Sequence, residues 1–342
     1  MTDNHCVTNK RNHSISLVRF VAMCMIVLCH YFQYFGLELA WWFNVGVQMF
    51  FFISGFLYGG KDIQFSADFI IKNFKKILLP YYCFLIPIIA IYILFERDFL
   101  TVSSVIRALL SCGTIKGIEH LWFVPYILFC YVITPYISAF AQKFKKLRPL
   151  FFICAAMLSL FLGQALSLLL DSFFLFSRIA CYLLGFYFAV FREQYGVRRF
   201  QIVSWLLICA ALFSNGIRIY FQYVAHTQFF AFDYFTQYSH LLLGAAIVLL
   251  LLAVFHNLQD HTLLRLSDRY SYHVYIVHQL FILSPFSLLG ITRHVWLNCL
   301  VVLVMICCSA FVLKVYSDRV EAVATRAAKR FDIFVRSKTE YK

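Results

Sequence analysis

Long apolar stretches separated by short polar segments make up most of this 342-residue chain. Several stretches reach about 18 residues or more, enough for a helix to cross the ~30 Å hydrocarbon core of a bilayer. The alternating segments of about ten residues that mark a membrane β-barrel are absent from the sequence. The pattern predicts an all-α, polytopic membrane protein with about ten spans, near residues 14–35, 43–59, 77–95, 120–141, 150–170, 173–191, 202–220, 238–255, 271–290 and 295–316.

The apolar run near the N-terminus is predicted to be a membrane span and not a cleaved signal. It extends from Ile15 to Phe35, which exceeds the apolar core of a signal peptide, and no small-residue cleavage site follows it. By contrast, the segment from Leu100 to Cys112 is too short to cross a bilayer. We expect an interfacial or re-entrant segment there.

Basic residues indicate the orientation of the spans. If the N-terminus is cytoplasmic, 22 Lys and Arg residues fall in inner segments and the C-terminal tail, and four fall in outer segments. Cytoplasmic loops carry such an excess, so we expect both termini on the cytoplasmic side of a cell (plasma or inner) membrane. The chain is therefore divided into a membrane-embedded domain, residues 1–316, and a basic cytoplasmic tail, residues 317–342.

The composition excludes several classes of protein. With 62% hydrophobic residues and a mean hydropathy of +0.78, the chain does not resemble a soluble globular domain. The net charge of +14 lies in loops and the tail, so we expect the bilayer, and not nucleic acid, as the partner of these cations. Most of the 12 cysteines lie in apolar runs without CxxC or Cys/His zinc spacing, so neither a disulfide framework nor a metal site is predicted.

Two side chains in the first apolar run are the strongest candidates for chemistry. Arg19 and His30 are separated by ten uncharged residues, so on a helix they share a face within ~20° and lie ~16 Å apart along the axis. Such groups inside a membrane are costly unless they have partners or a function. Arg19 suits binding of phosphate or carboxylate, and His30, with the ordinary imidazole pKa of ~6.5, suits general base catalysis. Hydrogen bonds to neighbouring helices alone are an equally open explanation.

A second polar block, Glu119 and His120, opens the predicted fourth span. If that span packs beside the first, His120 lies at the depth of His30, and either residue of the block then orients the base or contacts a substrate. The neighbouring Trp122 is a candidate for binding substrate. From these residues alone we favour the alternative, which is an ordinary polar and aromatic start of a span at the membrane interface.

Two further segments contain candidate binding residues that also have structural explanations. Ser54 and Gly55 lie in an aromatic span, where small residues permit close helix packing or leave room for a ligand. Lys72, Lys75 and Lys76 precede the third span, where they suit lipid headgroups or the phosphates of a cytoplasmic cofactor.

Two isolated candidates lie within predicted spans. His278, in the ninth span, either lines a substrate site or is hydrogen-bonded within the bundle. Arg178 lies in the sixth span and is a candidate for binding an anionic cofactor.

Together, these blocks resemble the acyltransferase-3 family of integral membrane acyltransferases. Arg19 and His30 match the R-x10-H signature of its first helix. The matching blocks occur in the family's order and extend from residue 15 to about residue 280, which makes the resemblance specific. The later blocks are Phe51–Leu57, the segment ending at Leu79-Pro80-Tyr81, Glu119–Phe123 and Tyr270–His278.

The resemblance implies transfer of an acyl group, usually acetyl, from cytoplasmic acyl-CoA to a hydroxyl of an extracytoplasmic or lipid-linked glycan. Such O-acetylation modifies a cell-surface polysaccharide or its precursor. In this scheme His30 is the base or a transient acyl carrier, and Arg19 helps to hold the donor, acetyl-CoA. The expected partners are acyl-CoA, the glycan or lipid-linked sugar, and the bilayer, and no metal is expected.

The chain departs from the family pattern at two places. Ser16 stands where the family often has an acidic residue, so a carboxylate partner for Arg19 must come from another helix or be absent. Asn73 and Lys76 stand where the family often has an Arg-x-x-Arg pair. Lysine does not bind phosphate in the bidentate way of arginine, so the donor contacts are left open.

The competing class is a transporter or flippase of a lipid-linked sugar or small anion, because a helical bundle with buried Arg and His also suits transport. Transporters commonly have internal repeats and interrupted helices, and no clear repeat occurs in this sequence. A polysaccharide polymerase is less compatible, because a large Arg-rich outer loop would be expected. The outer segments near 96–119 and 221–237 contain three basic residues and none, respectively.

Overall fold

The computed structural model describes residues 13–170, 177–227 and 232–339, and within these ranges it contains helices and no strands. The predicted all-α class is therefore confirmed. The α-helices are α1 His13–Tyr34, α2 Leu39–Phe43, α3 Val45–Tyr58, α4 Ala67–Phe95, α5 Val102–Leu109, α6 Phe123–Lys143, α7 Arg148–Leu170, α8 Ser177–Ile219, α9 Phe232–Val254, α10 Thr262–Ile282 and α11 Val295–Thr339.

In the described part of the chain, seven helical segments are long and apolar enough to cross a membrane. The chain is therefore a helical membrane protein, whereas ten spans and cytoplasmic termini stay predictions. The seven segments are His13–Tyr34, Leu39–Tyr58, Ala67–Phe95, Glu119–Lys143, Arg178–Val224, Phe235–Val254 and Val295–Arg330.

The predicted spans differ from these seven segments in three places. The spans at 150–170 and 271–290 overlap α7 and α10, which are not among the seven. The spans at 173–191 and 202–220 both overlap the segment Arg178–Val224. Residues 173–176 of the former span lie outside the described residues.

Helix α8 is bent at Gly196, whose backbone has φ 80° and ψ 171°. The rings of Phe188 and Phe200 lie 6.1 Å apart between centroids, although twelve residues of straight helix would separate them by ~18 Å. Glycine adopts this positive φ without the steric cost that a Cβ would bring. Helix α8 thus consists of two helical segments, one on each side of Gly196, that overlap the two predicted spans.

The chain forms two compact units. The first contains residues 1–26, 43–61 and 141–269, and the second contains residues 27–42, 62–140 and 270–342. Helix α1 and helix α10 each have residues in both units.

In the first unit, α3 packs backbone to backbone against α8. A methyl group added at Gly55 would lie 2.0 Å from the carbonyl oxygen of Tyr182, and one added at Gly185 would lie 2.0 Å from that of Phe52. Small residues permit such close approach of membrane helices. Of the two explanations open for Gly55, the structure therefore supports close helix packing.

In the second unit, tyrosine hydroxyls donate to backbone carbonyls of neighbouring helices. Tyr272 of α10 donates to the carbonyl of Ile77 in α4 at 2.9 Å, and Tyr81 of α4 donates to that of Ala108 in α5 at 2.6 Å. The second bond ties the short helix within residues 100–112 to α4. Helix α11 continues past residue 316, so the start of the predicted tail is helical, and residues 340–342 lie outside the described residues.

We expect Gly55→Ala to destabilise the protein, because its methyl group would overlap the Tyr182 carbonyl and force α3 away from α8. Overpacking of this kind costs roughly 1–3 kcal/mol. Thermal unfolding of the purified protein in detergent would measure the loss.

Gly216→Ala is the matched control, since a methyl group there meets nothing within 4 Å. It should leave the unfolding temperature unchanged or slightly raised, because alanine favours helix by about 1 kcal/mol over glycine. Equal unfolding temperatures for both variants would contradict the packing described for Gly55.

Candidate active site

Three histidines from different parts of the sequence converge in the second unit. His30 lies near the end of α1, His120 in a 3-10 turn, Glu119–Trp122, that precedes α6, and His278 in α10. The ring centroid of His278 is 5.0 Å from that of His30 and 4.8 Å from that of His120, while His30 and His120 are 6.5 Å apart. We call these three residues the histidine cluster.

Each ring of the histidine cluster is held by an oxygen that can only accept a hydrogen bond. His120 Nε2 lies 2.9 Å from the carbonyl oxygen of Ile276, and His278 Nδ1 lies 2.6 Å from that of Tyr275. His30 Nδ1 lies 2.9 Å from Oε1 of Gln33.

These partners determine which ring nitrogen carries the proton. A carbonyl oxygen has no hydrogen to give, so the imidazole nitrogen facing it must be the donor. In a neutral imidazole the second nitrogen then has a bare lone pair. The bare nitrogens are Nε2 of His30, Nδ1 of His120 and Nε2 of His278.

Two of these bare nitrogens are deeply buried. The residues His278 and His120 are 0% and 3% exposed, and His278 Nε2 and His120 Nδ1 have no hydrogen-bond partner among the described residues. Buried polar atoms nearly always have a partner, so exceptions are worth explaining. An arrangement of several acceptors without facing donors can bind a group that brings its own O–H or N–H, and it can remove a proton from that group.

One residue that sequence reasoning missed links Glu119 to His120. The side chain of Gln279 accepts from the backbone N–H of His120 at 2.9 Å through Oε1 and donates to Oε2 of Glu119 at 3.0 Å through Nε2. Tyr275, a second missed residue, donates its hydroxyl to the carbonyl of His120. Glu119 is thus bound to an amide and not to an imidazole. The polar Gln279 beside His278 in an apolar segment was the available sequence signal.

Arg19 lies in the first unit and is paired with a carboxylate from another helix. Its Nη1 donates to Oδ1 of Asp268 in α10 at 3.1 Å, and the hydroxyl of Ser16 donates to Oδ2 of the same carboxylate at 2.5 Å. The sequence left open whether such a carboxylate exists. The structure supplies it from α10.

The basic entry to α4 lies in the second unit. Lys72, Lys75 and Lys76 all have exposed side chains, and Lys75 forms an ion pair with Glu321 of α11 at 3.1 Å. The side chain of Asn73 donates to the carbonyl of Phe69 one turn earlier in its own helix at 2.8 Å.

The other predicted binding residues lie in different surroundings. Ser54 is half-buried in α3, and Arg178 is buried in the first turn of α8, both within the first unit. Trp122 is half-buried in the second unit, with its ring 5.7 Å from that of Tyr126. Of the predicted site residues, the structure brings His30, His120, His278 and Glu119 together.

A cavity of about 240 Å³ lies in the first unit, and none of the predicted site residues lines it. Within the described ranges, no group of three or more His, Cys, Asp or Glu side chains is arranged to hold a metal ion.

We expect Gln279→Leu to lower the unfolding temperature, because it leaves the His120 N–H and the Glu119 carboxylate without this partner. A buried polar group that loses its hydrogen bond costs about 1–3 kcal/mol. Gln201→Leu, the same substitution at an exposed position, is the control. Equal stability of the two variants would mean that Gln279 does not hold the turn of His120.

Comparison with known proteins gives one family. The model of the acyltransferase-3 family, described as an acyltransferase domain, matches residues 12–315, which is nearly the whole chain. No curated protein and no solved structure matches. The R-x10-H pair and the histidine cluster lie inside the matched region. The chain therefore belongs to the acyltransferase-3 family and is a membrane acyltransferase.

Proposed function

We propose that this protein is an O-acyltransferase that moves an acyl group, most simply acetyl, from cytoplasmic acyl-CoA to a hydroxyl of a cell-surface polysaccharide or lipid-linked sugar. The observation that carries the proposal is the histidine cluster with its bare nitrogens. Acyl transfer to an alcohol requires a group that accepts the proton of the attacking hydroxyl, and neutral imidazole is suited to this task.

In the proposed reaction, Nε2 of His30 accepts the proton of the acceptor hydroxyl. The hydroxyl oxygen forms a C–O bond to the carbonyl carbon of the thioester, and the C–S bond to CoA breaks. The proton on His30 then passes to the departing sulfur. The products are the O-acyl ester and free CoA, so atoms and charge balance.

The other two imidazoles bind the acceptor in this proposal. Nδ1 of His120 and Nε2 of His278 accept hydrogen bonds from hydroxyl groups, which satisfies two buried atoms. Glu119 acts through Gln279 and keeps the turn of His120 in place. Trp122 offers an aromatic face for a sugar ring, and Ser54 is a further candidate for substrate contact.

Cationic side chains bind the anionic donor in this proposal. Arg19 has N–H groups beyond the one bound to Asp268, and guanidinium groups suit phosphate. Lys72, Lys75 and Lys76 are proposed to attract the phosphates of CoA, and Arg178 is a further candidate for binding the donor.

We expect His30→Ala to abolish acetyl transfer. The assay follows radiolabel from acetyl-CoA into a base-labile glycan or lipid-glycan fraction, in membranes that contain the native acceptor. Loss of a general base lowers rates by about 10²–10⁴-fold. Protein amounts are matched, and His294→Ala, at an exposed histidine before α11, is the control that should keep its activity. Equal incorporation by His30→Ala and wild type would remove His30 from the mechanism.

We expect His278→Leu to separate stability from activity. Leucine removes the buried Nε2 that has no partner, but it also removes the hydrogen bond of Nδ1 to the Tyr275 carbonyl. The two effects oppose each other, so the unfolding temperature should stay near that of wild type. Acetyl transfer should fall by at least about tenfold, because one acceptor of a substrate hydrogen bond is lost. A variant with wild-type transfer would show that His278 is only a packed core residue.

A further inference from the structure

We infer that Asp268 is a positioning residue for Arg19 in donor binding, and that it supplies from α10 the carboxylate that position 16 of α1 lacks. The inference rests on the proposed function, since it concerns an arginine proposed to hold acyl-CoA. Asp268 belongs to neither the histidine cluster nor the basic entry to α4.

The geometry of the first unit joins three side chains in one arrangement. Ser16 and Arg19 lie three residues apart on α1 and therefore on the same face of the helix. Both donate to Asp268, Ser16 to Oδ2 at 2.5 Å and Arg19 to Oδ1 at 3.1 Å. The Asp268 side chain is 8% exposed, so this carboxylate is held at both oxygens in a buried position.

The arrangement fixes the guanidinium without using all of its hydrogens. A carboxylate that serves only to neutralise an arginine commonly binds it through two parallel hydrogen bonds. Here the hydroxyl of Ser16 occupies the second oxygen, and Arg19 is bound through Nη1. Among the described residues, Nε and Nη2 of Arg19 have no hydrogen-bond partner, and the Arg19 side chain is 29% exposed. These donors are available to a phosphate oxygen of the acyl-CoA donor.

The small side chain at position 16 is part of the same arrangement. Ser16 is 3% exposed, and its hydroxyl reaches the carboxylate that another helix presents. An aspartate at position 16 would itself lie within reach of Arg19, because oppositely charged residues three apart on a helix interact. Exchanging the side chains of positions 16 and 268 should therefore move the carboxylate from α10 to α1 and keep its contact with Arg19.

The experiment measures equilibrium binding of radiolabelled acetyl-CoA to purified protein in detergent, which requires neither an acceptor nor turnover. Asp268→Ser should raise Kd by about tenfold, which is the loss expected when a charged hydrogen-bonded contact is misplaced. The exchange variant, Ser16→Asp with Asp268→Ser, should return Kd to within about threefold of wild type. A merely structural role of Asp268 would lower the unfolding temperature and leave Kd unchanged.

Asp260→Ser is the matched control, because the Asp260 carboxylate is 46% exposed and pairs with Arg265 at 3.4 Å on the surface. Exposed pairs contribute little, so binding should not change. Wild-type affinity of Asp268→Ser would overturn the inference. Weak binding of acetyl-CoA by a folded exchange variant would also overturn the inference. If Asp268→Ser does not fold, the exchange variant alone decides. Failure of the wild-type protein to bind acetyl-CoA would instead overturn the proposed donor, and the inference with it.

Discussion

The binding of imidazole N–H groups by carbonyl oxygens is the constraint on which the candidate site depends. In a bilayer no water satisfies a buried polar group, so each donor must find its partner within the protein. One turn of α10 provides several of these partners, since the carbonyls of Tyr275 and Ile276 bind His278 and His120. Gln279 of the same turn binds the backbone N–H of His120.

As a consequence, the histidine cluster offers hydrogen-bond acceptors to a ligand. Because the donating nitrogens are used by the protein, each ring is left with a nitrogen that can only accept. The cluster therefore suits removal of a proton or binding of hydroxyl groups. In the proposed reaction, negative charge that develops on the thioester oxygen would need a hydrogen-bond donor, and the protonated form of His30 offers one.

The sequence predicted the helical membrane class and the family, and it singled out the three histidines as candidates, because these depend on apolar length and on local motifs. It did not predict that His120 is a buried neighbour of His278, since that requires knowledge of which helices pack together. The sequence signal at Glu119 and Trp122 favoured an interfacial position. A local pattern does not show which distant residues cover a side chain, and the same limit applies to Gln279, whose two partners lie about 160 positions away along the chain. The apolar stretches on either side of Gly196 were predicted as two spans, and the bend there divides α8 into two segments that overlap them, although apolar length gave no signal for the residue at which the chain bends.

The departure at Ser16 shows how a missing local feature can be replaced by a distant one. A carboxylate near Arg19 was absent from α1, yet Asp268 provides it from α10. Sequence spacing along one helix therefore gives the position of a charge but not the origin of its partner. At the entry to α4, the partner of Lys75 likewise comes from α11, through Glu321.

The central claim is that the three imidazoles each keep one bare nitrogen for the substrate. Nitrogen NMR of the protein with ¹⁵N-labelled histidine tests it directly, with the signals assigned by single substitutions of His30, His120 and His278. The account predicts bare Nε2 atoms on His30 and His278 and a bare Nδ1 atom on His120. Protons on both nitrogens of any of these rings, or the opposite tautomers, would contradict it.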